Sequence, residues 1–152
     1  LNPSKAHRAE EICMSLKTVN PYLNFNGNAA QAIDLYVAAL GATVTFIQRF
    51  KEIPGGEFTG EDGERVMHAT LRIGDGELMV SDAMPGHIVG PGTNITVTLQ
   101  YADTSVVDAQ FARLAEGGTV TMPLENTFWN ARFGTLVDRF GISWMFNAEL
   151  AQ

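Results

Sequence analysis

The sequence predicts an α+β domain made of two copies of one module, each a strand, a helix and three further strands. Two matches carry this. Gly41-Ala42-Thr43-Val44-Thr45-Phe46 recurs as Gly117-Gly118-Thr119-Val120-Thr121-Met122, so position 41 maps to 117, an offset of 76. The same offset lays Phe25 on Tyr101 and the segment from Ala29 on that from Ser105. Further on, Thr70-Leu71 matches Thr135-Leu136 and Gly76 matches Gly141, an offset of 65. Self-similarity with elements in the same order marks a duplicated unit. The drop in offset from 76 to 65 leaves 11 extra residues in the first half. They fall in Lys51 to Glu64, a Gly- and Glu-rich stretch containing Pro54, which reads as a long loop.

Each element has its own signal. Leu23 and Phe25 alternate with Tyr22, Asn24 and Asn26, which is the period of a strand. Asn28, with Gln31 three residues on, has the spacing of a capping box. Ala29, Ala32, Ile33, Tyr36, Val37 and Leu40 then form one apolar helical stripe that Gly41 stops. Strands follow at about 43–50, 65–73 and 77–82, the last two joined by a tight turn at Gly74-Asp75-Gly76. In the second half Ile95, Val97, Leu99 and Tyr101 alternate with polar residues. Asp103 is placed to cap a helix carrying Val107, Phe111, Leu114 and Ala115, which ends at Gly117-Gly118. Strands at about 119–125, 131–137 and 142–148 complete the module.

Composition narrows the function classes. At 152 residues, 45% apolar and 18% charged, the chain has the balance of one folded domain. A net charge of −7 repels phosphate backbones, so no nucleic-acid partner is expected. Cys13 is the one cysteine, so no intrachain disulfide forms, and it has no matched histidine for a nucleophilic role. No run of about 18 apolar residues exists to span a membrane. Residues 1–16 contain scattered charges and no apolar leader core, and read as a tail or short helix suited to contacts between chains. Residues 17–152 form a single domain with modules at about 18–83 and 93–149, expected in the cytoplasm.

The chain resembles the vicinal oxygen chelate superfamily, which includes glyoxalase I, extradiol dioxygenases and the bleomycin- and fosfomycin-resistance proteins. Within it the PhnB-like branch is the nearer likeness. The residues behind this are Val19-Asn20-Pro21-Tyr22-Leu23-Asn24-Phe25, Gln48-Arg49-Phe50-Lys51, Val66-Met67-His68-Ala69, Leu71-Arg72-Ile73-Gly74-Asp75 and Ser81-Asp82. Thr127-Phe128-Trp129, Ala131-Arg132-Phe133-Gly134 and Trp144-Met145 extend it through the second half. The resemblance implies paired βαβββ modules forming cup-shaped mixed sheets with helices on the outer face, usually in a homodimer. It does not imply one reaction, because a fold does not fix a function.

The resemblance also implies a divalent metal held by His, Glu or Gln on the first and last strands of each module. Those positions fall here on Asn20, Thr96, Met145 and one of Val80, Ser81 and Asp82. Only Asp82 is a good donor, so no metal is expected. His7, His68 and His87 show no two-histidine spacing. Members of this branch are often described as methyltransferases of ubiquinone synthesis. Yet no G-x-G-x-x-G opens a helix and no G-x-x-x-x-G-K-[ST] occurs, so no cofactor is expected.

Strand parity places the cup. Met67, Ala69, Leu71 and Ile73 form the face towards the helix, and Val66, His68, Thr70 and Arg72 the face towards the ligand. Tyr22 and Asn24 share that side, as do Thr98, Gln100, Phe133 and Met145 in the second half. His68 is the candidate general acid–base, since imidazole changes charge near neutrality. Asp82 and Glu125 are further candidate bases. Arg49, Arg72 and Arg132 are candidate clamps for an anionic group. Phe128 and Trp129 are a candidate stacking wall. A polar but largely neutral cup with aromatic walls suits a small-molecule ligand. Two functions follow: a metal-free binding protein for a partly aromatic or anionic compound, or an enzyme of lyase, isomerase or dioxygenase type.

Overall fold

The computed structural model describes residues 16–151. The expected tail, with His7 and Cys13, lies almost wholly outside the described residues. The first module runs β1 (Tyr22–Phe25), α1 (Ala29–Leu40), β2 (Thr43–Arg49), a 3-10 turn (Phe50–Glu52), α2 (Gly60–Glu64), β3 (Val66–Ile73) and β4 (Gly76–Asp82). The second runs β5 (Val97–Tyr101), α3 (Val107–Ala115), β6 (Thr119–Asn126), β7 (Ala131–Val137) and β8 (Ser143–Glu149). The sheets have the orders β1-β4-β3-β2 and β5-β8-β7-β6. In each, the module's first strand is parallel to its last and the other pairs are antiparallel. The duplicated sequence is thus a duplicated topology of open, curved sheets.

The helices cover one face of each sheet because their apolar stripes need that cover. α1 buries Ala29, Ala32, Ile33, Leu35, Tyr36, Ala39 and Leu40, and α3 buries Val107, Phe111 and Leu114. Both stripes enter one continuous core with Leu71, Val80, Leu136, Trp144 and Phe146. Gly41 ends α1 in the left-handed conformation (φ 67°), its N–H donating to Val37 O.

Several local expectations are corrected. Asn28 makes no side-chain cap on α1. Asp82, at the end of β4, does this work instead: its Oδ1 accepts the Gly27 and Ala29 N–H groups at 2.7 and 3.0 Å. A carboxylate delivered by a distant strand meets those donors better than the neighbouring side chain. Asp103 does not cap α3; its Oδ1 accepts from the Ser105 N–H and hydroxyl, a local turn, and Val106 holds the cap position. The stretch 51–64 is not bare loop, since it contains the end of the 3-10 turn and α2. β5 starts at Val97, and Ile95 is 78% exposed.

Register refines the repeat. Thr70 lies opposite Met79, and its mate Thr135 lies opposite Met145. The last strand is therefore offset by 66 rather than 65, because the β7–β8 turn is one residue longer. Val66 is fully buried, against its expected place on the ligand face. The register shift between Gln48 and Arg49, at the end of β2, breaks the alternation there.

Candidate functional site

The face turned away from the helices carries matched cross-strand rows. In the first sheet Tyr22 pairs with Met79, Met79 with Thr70 and Thr70 with Phe46. In the second, Thr98 pairs with Met145, Met145 with Thr135 and Thr135 with Met122. The next row of the second sheet is Gln100, Asn147, Phe133 and Glu125. In the first sheet Asn24 pairs with Ser81, and His68 with Gln48.

His68 is the centre of the first face. Its Nδ1 shares a 2.8 Å hydrogen bond with the Tyr22 hydroxyl, and its Nε2 lies 3.3 Å from Thr70 Oγ1. The Tyr22 ring meets the imidazole edge-on, with centroids 5.4 Å apart. Phe46 leans over it at 5.9 Å. Three of the sequence-predicted site residues therefore form one cluster. Asn24 sits beside it, its side-chain amide donating to Tyr22 O.

The second face holds the others more loosely. Thr98 Oγ1 contacts the Met145 sulfur at 3.8 Å, and Asn147 Nδ2 donates to Gln100 Oε1 at 2.9 Å. Trp129 packs edge-to-face on Phe133 at 5.8 Å and on Phe128 at 4.9 Å. Phe128 and Trp129 lie in the β6–β7 turn, where Asn130 adopts φ 63° and Phe128 is 97% exposed.

Three candidates, Arg132, Asp82 and Arg49, are placed elsewhere. Arg132 lies on the helix side of β7, where its Nε sits 3.1 Å from both Asp108 oxygens on α3. That hydrogen bond holds the Asp108 carboxyl below the usual carboxylate range. Asp82 is buried, with Oδ2 also accepting from Val66 N–H at 2.9 Å, so it is a backbone clamp and not a base. Arg49 donates to Glu64 O and Arg72 lies opposite Glu77. Glu125 stays on the open face opposite Phe133. The residue that sequence reasoning missed is Phe46. Plain alternation from Thr43 sends it inward, but the register shift between Val44 and Phe46 turns it outward. Its mate Met122 follows a matching register shift, so the two modules bulge alike.

The superfamily's metal does not fit this donor set. Asn20, Thr96 and Met145 are poor ligands, and the Asp82 carboxylate is spent on three backbone N–H groups. Among the described residues, no group of three or more His, Cys, Asp or Glu side chains comes together.

Two clefts border these elements. One of about 1000 Å³ lies between the start of α1 and the 49–65 segment, with Arg49, Lys51 and Arg65 in its wall. Lys51 is ion-paired with Glu64, and Arg65 lies 3.8 Å from Asp62. None of the open-face rows enters that cleft. The other, about 850 Å³, runs between the modules and includes Asn20, Glu77, Thr98 and Gln100. The open face is the candidate site because the polar and aromatic groups converge there.

This architecture defines the class. Two βαβββ modules with parallel first and last strands make the vicinal oxygen chelate fold. FosX, the genomically encoded fosfomycin resistance protein of Listeria monocytogenes, shares that fold at 11% identity and a TM-score of 0.58, covering 90% of this chain and 94% of its own. More particularly, the chain belongs to the PhnB-like family described as 3-demethylubiquinone-9 3-methyltransferase, which it matches over residues 17–146. It is 32% identical over 145 residues to the protein YjdN of Escherichia coli K12, covering 88% of this chain and 97% of YjdN. Protein PA1353 of Pseudomonas aeruginosa is 36% identical, with a TM-score of 0.79 over 90% of this chain and all of its own. A PhnB protein of Bacillus cereus, a putative 3-demethylubiquinone-9 3-methyltransferase, is 25% identical at a TM-score of 0.72, covering 87% and 99%.

The family description names a methyl transfer, for which S-adenosylmethionine is the usual donor. The residues present do not fit that cofactor in its common binding mode. α1 follows its strand, but Asp82 accepts the Gly27 and Ala29 N–H groups at its start, and no G-x-G-x-x-G turn precedes it.

Proposed function

We propose that the chain is a small-molecule-binding protein of the glyoxalase/bleomycin-resistance type, whose ligand lies on the open faces of the sheets. The observation that carries this reading is the Tyr22–His68–Thr70 cluster, an exposed tyrosine on a half-buried histidine and threonine beside Phe46 on a largely neutral face. Tyr22, His68 and Thr70 orient the ligand, and Asn24, Thr98, Gln100, Phe133 and Met145 extend the wall. Trp129 and Phe128 supply aromatic cover from the turn. The ligand is a partly aromatic compound held without a resident metal. Arg132 takes an anionic group only by leaving Asp108, so an aromatic ligand is favoured over an anionic one.

We further propose a homodimer in the cytoplasm. Val44, Phe46 and Ile47 on β2, and Val120 and Met122 on β6, are each more than a third exposed on strands at sheet edges. Exposed apolar side chains on the outermost strands of the described sheets favour a second chain as cover.

A second reading is an enzyme, a lyase or isomerase with His68 as acid–base. It is favoured by the same Tyr22–His68 bond, since a paired phenol and imidazole can move a proton. One experiment separates the two. Elemental analysis after incubation with Mn²⁺, Fe²⁺, Ni²⁺ and Zn²⁺ is followed by an aromatic ligand screen on the wild type and His68→Ala. Binding weakened in His68→Ala, without turnover or retained metal, supports the binder. A near-neutral pH–rate profile lost in that variant supports the enzyme. Stoichiometric metal surviving dialysis overturns the metal-free reading.

A further inference from the structure

We infer that Tyr22, not His68, is the group that meets the ligand, and that the charge on His68 decides whether Tyr22 offers the ligand a lone pair or a proton. The inference rests on the reading of this face as the binding site, and adds which atom binds and what ligand chemistry it selects.

The argument begins with access. Tyr22 is 46% exposed. His68 is half-buried behind it, with Tyr22 on one nitrogen, Thr70 on the other and Phe46 leaning on the ring. Both ring nitrogens thus have neighbours, whereas among the described residues the Tyr22 hydroxyl has His68 as its hydrogen-bond partner and belongs to an exposed residue.

Proton placement follows from acidity. A neutral imidazole has one N–H and one lone pair. A phenol is a far stronger proton donor than an aliphatic hydroxyl, so the Tyr22 O–H donates to the lone pair. Its bond is also the shorter, 2.8 Å against 3.3 Å. Nδ1 is therefore the acceptor, and Nε2–H donates to Thr70 Oγ1. With its proton committed to Nδ1, Tyr22 presents only lone pairs outward. It then binds an aromatic molecule carrying an O–H or N–H.

Protonating His68 inverts this. Both ring nitrogens become donors, Nδ1–H donates to Tyr22, and the phenolic proton turns outward. The site then binds an aromatic carbonyl. The neighbouring groups from the other strands are uncharged: Gln48 lies opposite His68 on β2, and Asn24 and Ser81 pair on β1 and β4. The charged pair on this face, Arg72 and Glu77, are opposite one another further along β3 and β4. The second module has Thr98 and Phe133 in place of Tyr22 and His68, so the switch belongs to the first module.

The test has a ligand-free arm and a binding arm, both on the full chain. Imidazole ¹⁵N shifts of His68 are expected to show the Nε2–H tautomer in the neutral ring, and an Nδ1–H tautomer overturns the inference. In the binding arm, NMR titrations use indole, 1-methylindole and acetophenone between pH 5 and 9. Indole is expected to gain about tenfold over 1-methylindole at high pH, one good hydrogen bond's worth. Acetophenone is expected to bind tighter at low pH. Tyr22→Phe should abolish both preferences, and His68→Phe should flatten the pH profile. Probes that bind with no pH dependence, or equally in Tyr22→Phe, overturn the inference and leave the binding reading standing. If no probe binds, the binding reading suffers, and the tautomer still decides the proton placement.

Discussion

The Tyr36 hydroxyl donates to Asp138 Oδ2 at 2.7 Å although the two residues are 102 positions apart. Tyr36 is on α1 of the first module and Asp138 follows β7 of the second, and both are buried. Asp138 also accepts from Trp144 Nε1 at 2.9 Å and from the Phe140 and Ile142 N–H groups at 2.9 and 3.1 Å. One carboxylate thus ties the helix of one module to the β7–β8 turn of the other. Tyr36 and Trp144 also pack edge-to-face at 5.2 Å. Tyr36→Phe is expected to cost about 1.5–3 kcal/mol in urea unfolding, the range for a hydrogen bond to a charged group. Asp138→Ala is expected to cost more, because it orphans four donors at once. Equal, small losses in both would show that the modules do not depend on this tie.

The same tyrosine gives a pH dependence. Burial first, then the Asp138 carboxylate, push the Tyr36 phenol far above its ordinary value, and burial pushes Tyr101 up to about 12. The unfolded phenols lose their protons near pH 10 while the folded ones keep theirs. This contribution is complete below pH 10 and is lost as pH rises above it. Unfolding free energy should therefore fall with pH above about 10, and fall less steeply in Tyr36→Phe. An unchanged slope in that variant would rule out Tyr36 as the source.

Asp82 predicts a purely structural phenotype. Its two oxygens accept from the Gly27, Ala29 and Val66 N–H groups. Asp82→Ala should destabilise the chain by about 3 kcal/mol or more, since three backbone donors, two of them buried, lose a charged partner. Metal content should not change. Metal retained by the wild type and lost from a folded Asp82→Ala protein would reinstate Asp82 as a ligand.

Gly118 predicts a loss from close approach. A Cβ there would lie 2.3 Å from Val137 O and 2.9 Å from the Asp138 carbonyl carbon. Gly118→Ala should cost about 3 kcal/mol or more by thermal unfolding, because backbone must move to admit it. Gly41→Ala should cost about 1 kcal/mol, since only its positive φ of 67° resists and nothing lies within 4 Å. The mate of Gly118 is Ala42, so the two halves differ in how closely the backbone packs behind that turn.

The order of elements was legible because periodicity and punctuation are local. Leu23 and Phe25 alternate, the α1 stripe recurs at helical spacing, and Gly41 can stop a helix with no help from afar. The repeat then extended each reading to the other half. Helix caps were less legible: Asn28 and Asp103 have suitable chemistry, but a β4 carboxylate outcompeted one and a local turn absorbed the other. Part of the geometry of the candidate site was legible. Tyr22, His68 and Thr70 share a face by parity, and they meet. Arg132, another candidate, alternates with Phe133 onto the helix side of β7, where it pairs with Asp108.

By itself, then, the sequence determined two βαβββ modules, their apolar stripes and the polar character of the open faces. Those depend on backbone periods of 3.6 and 2 and on the preferences of glycine, which act within a few residues. Tertiary structure alone decided that Asp82 is a clamp, that Phe46 turns outward, that Arg132 is paired and that Tyr36 reaches Asp138. Each depends on register or on contacts across tens of residues. A one-residue shift in a strand reverses a face, and a buried carboxylate takes whichever donors the packing brings within 3 Å.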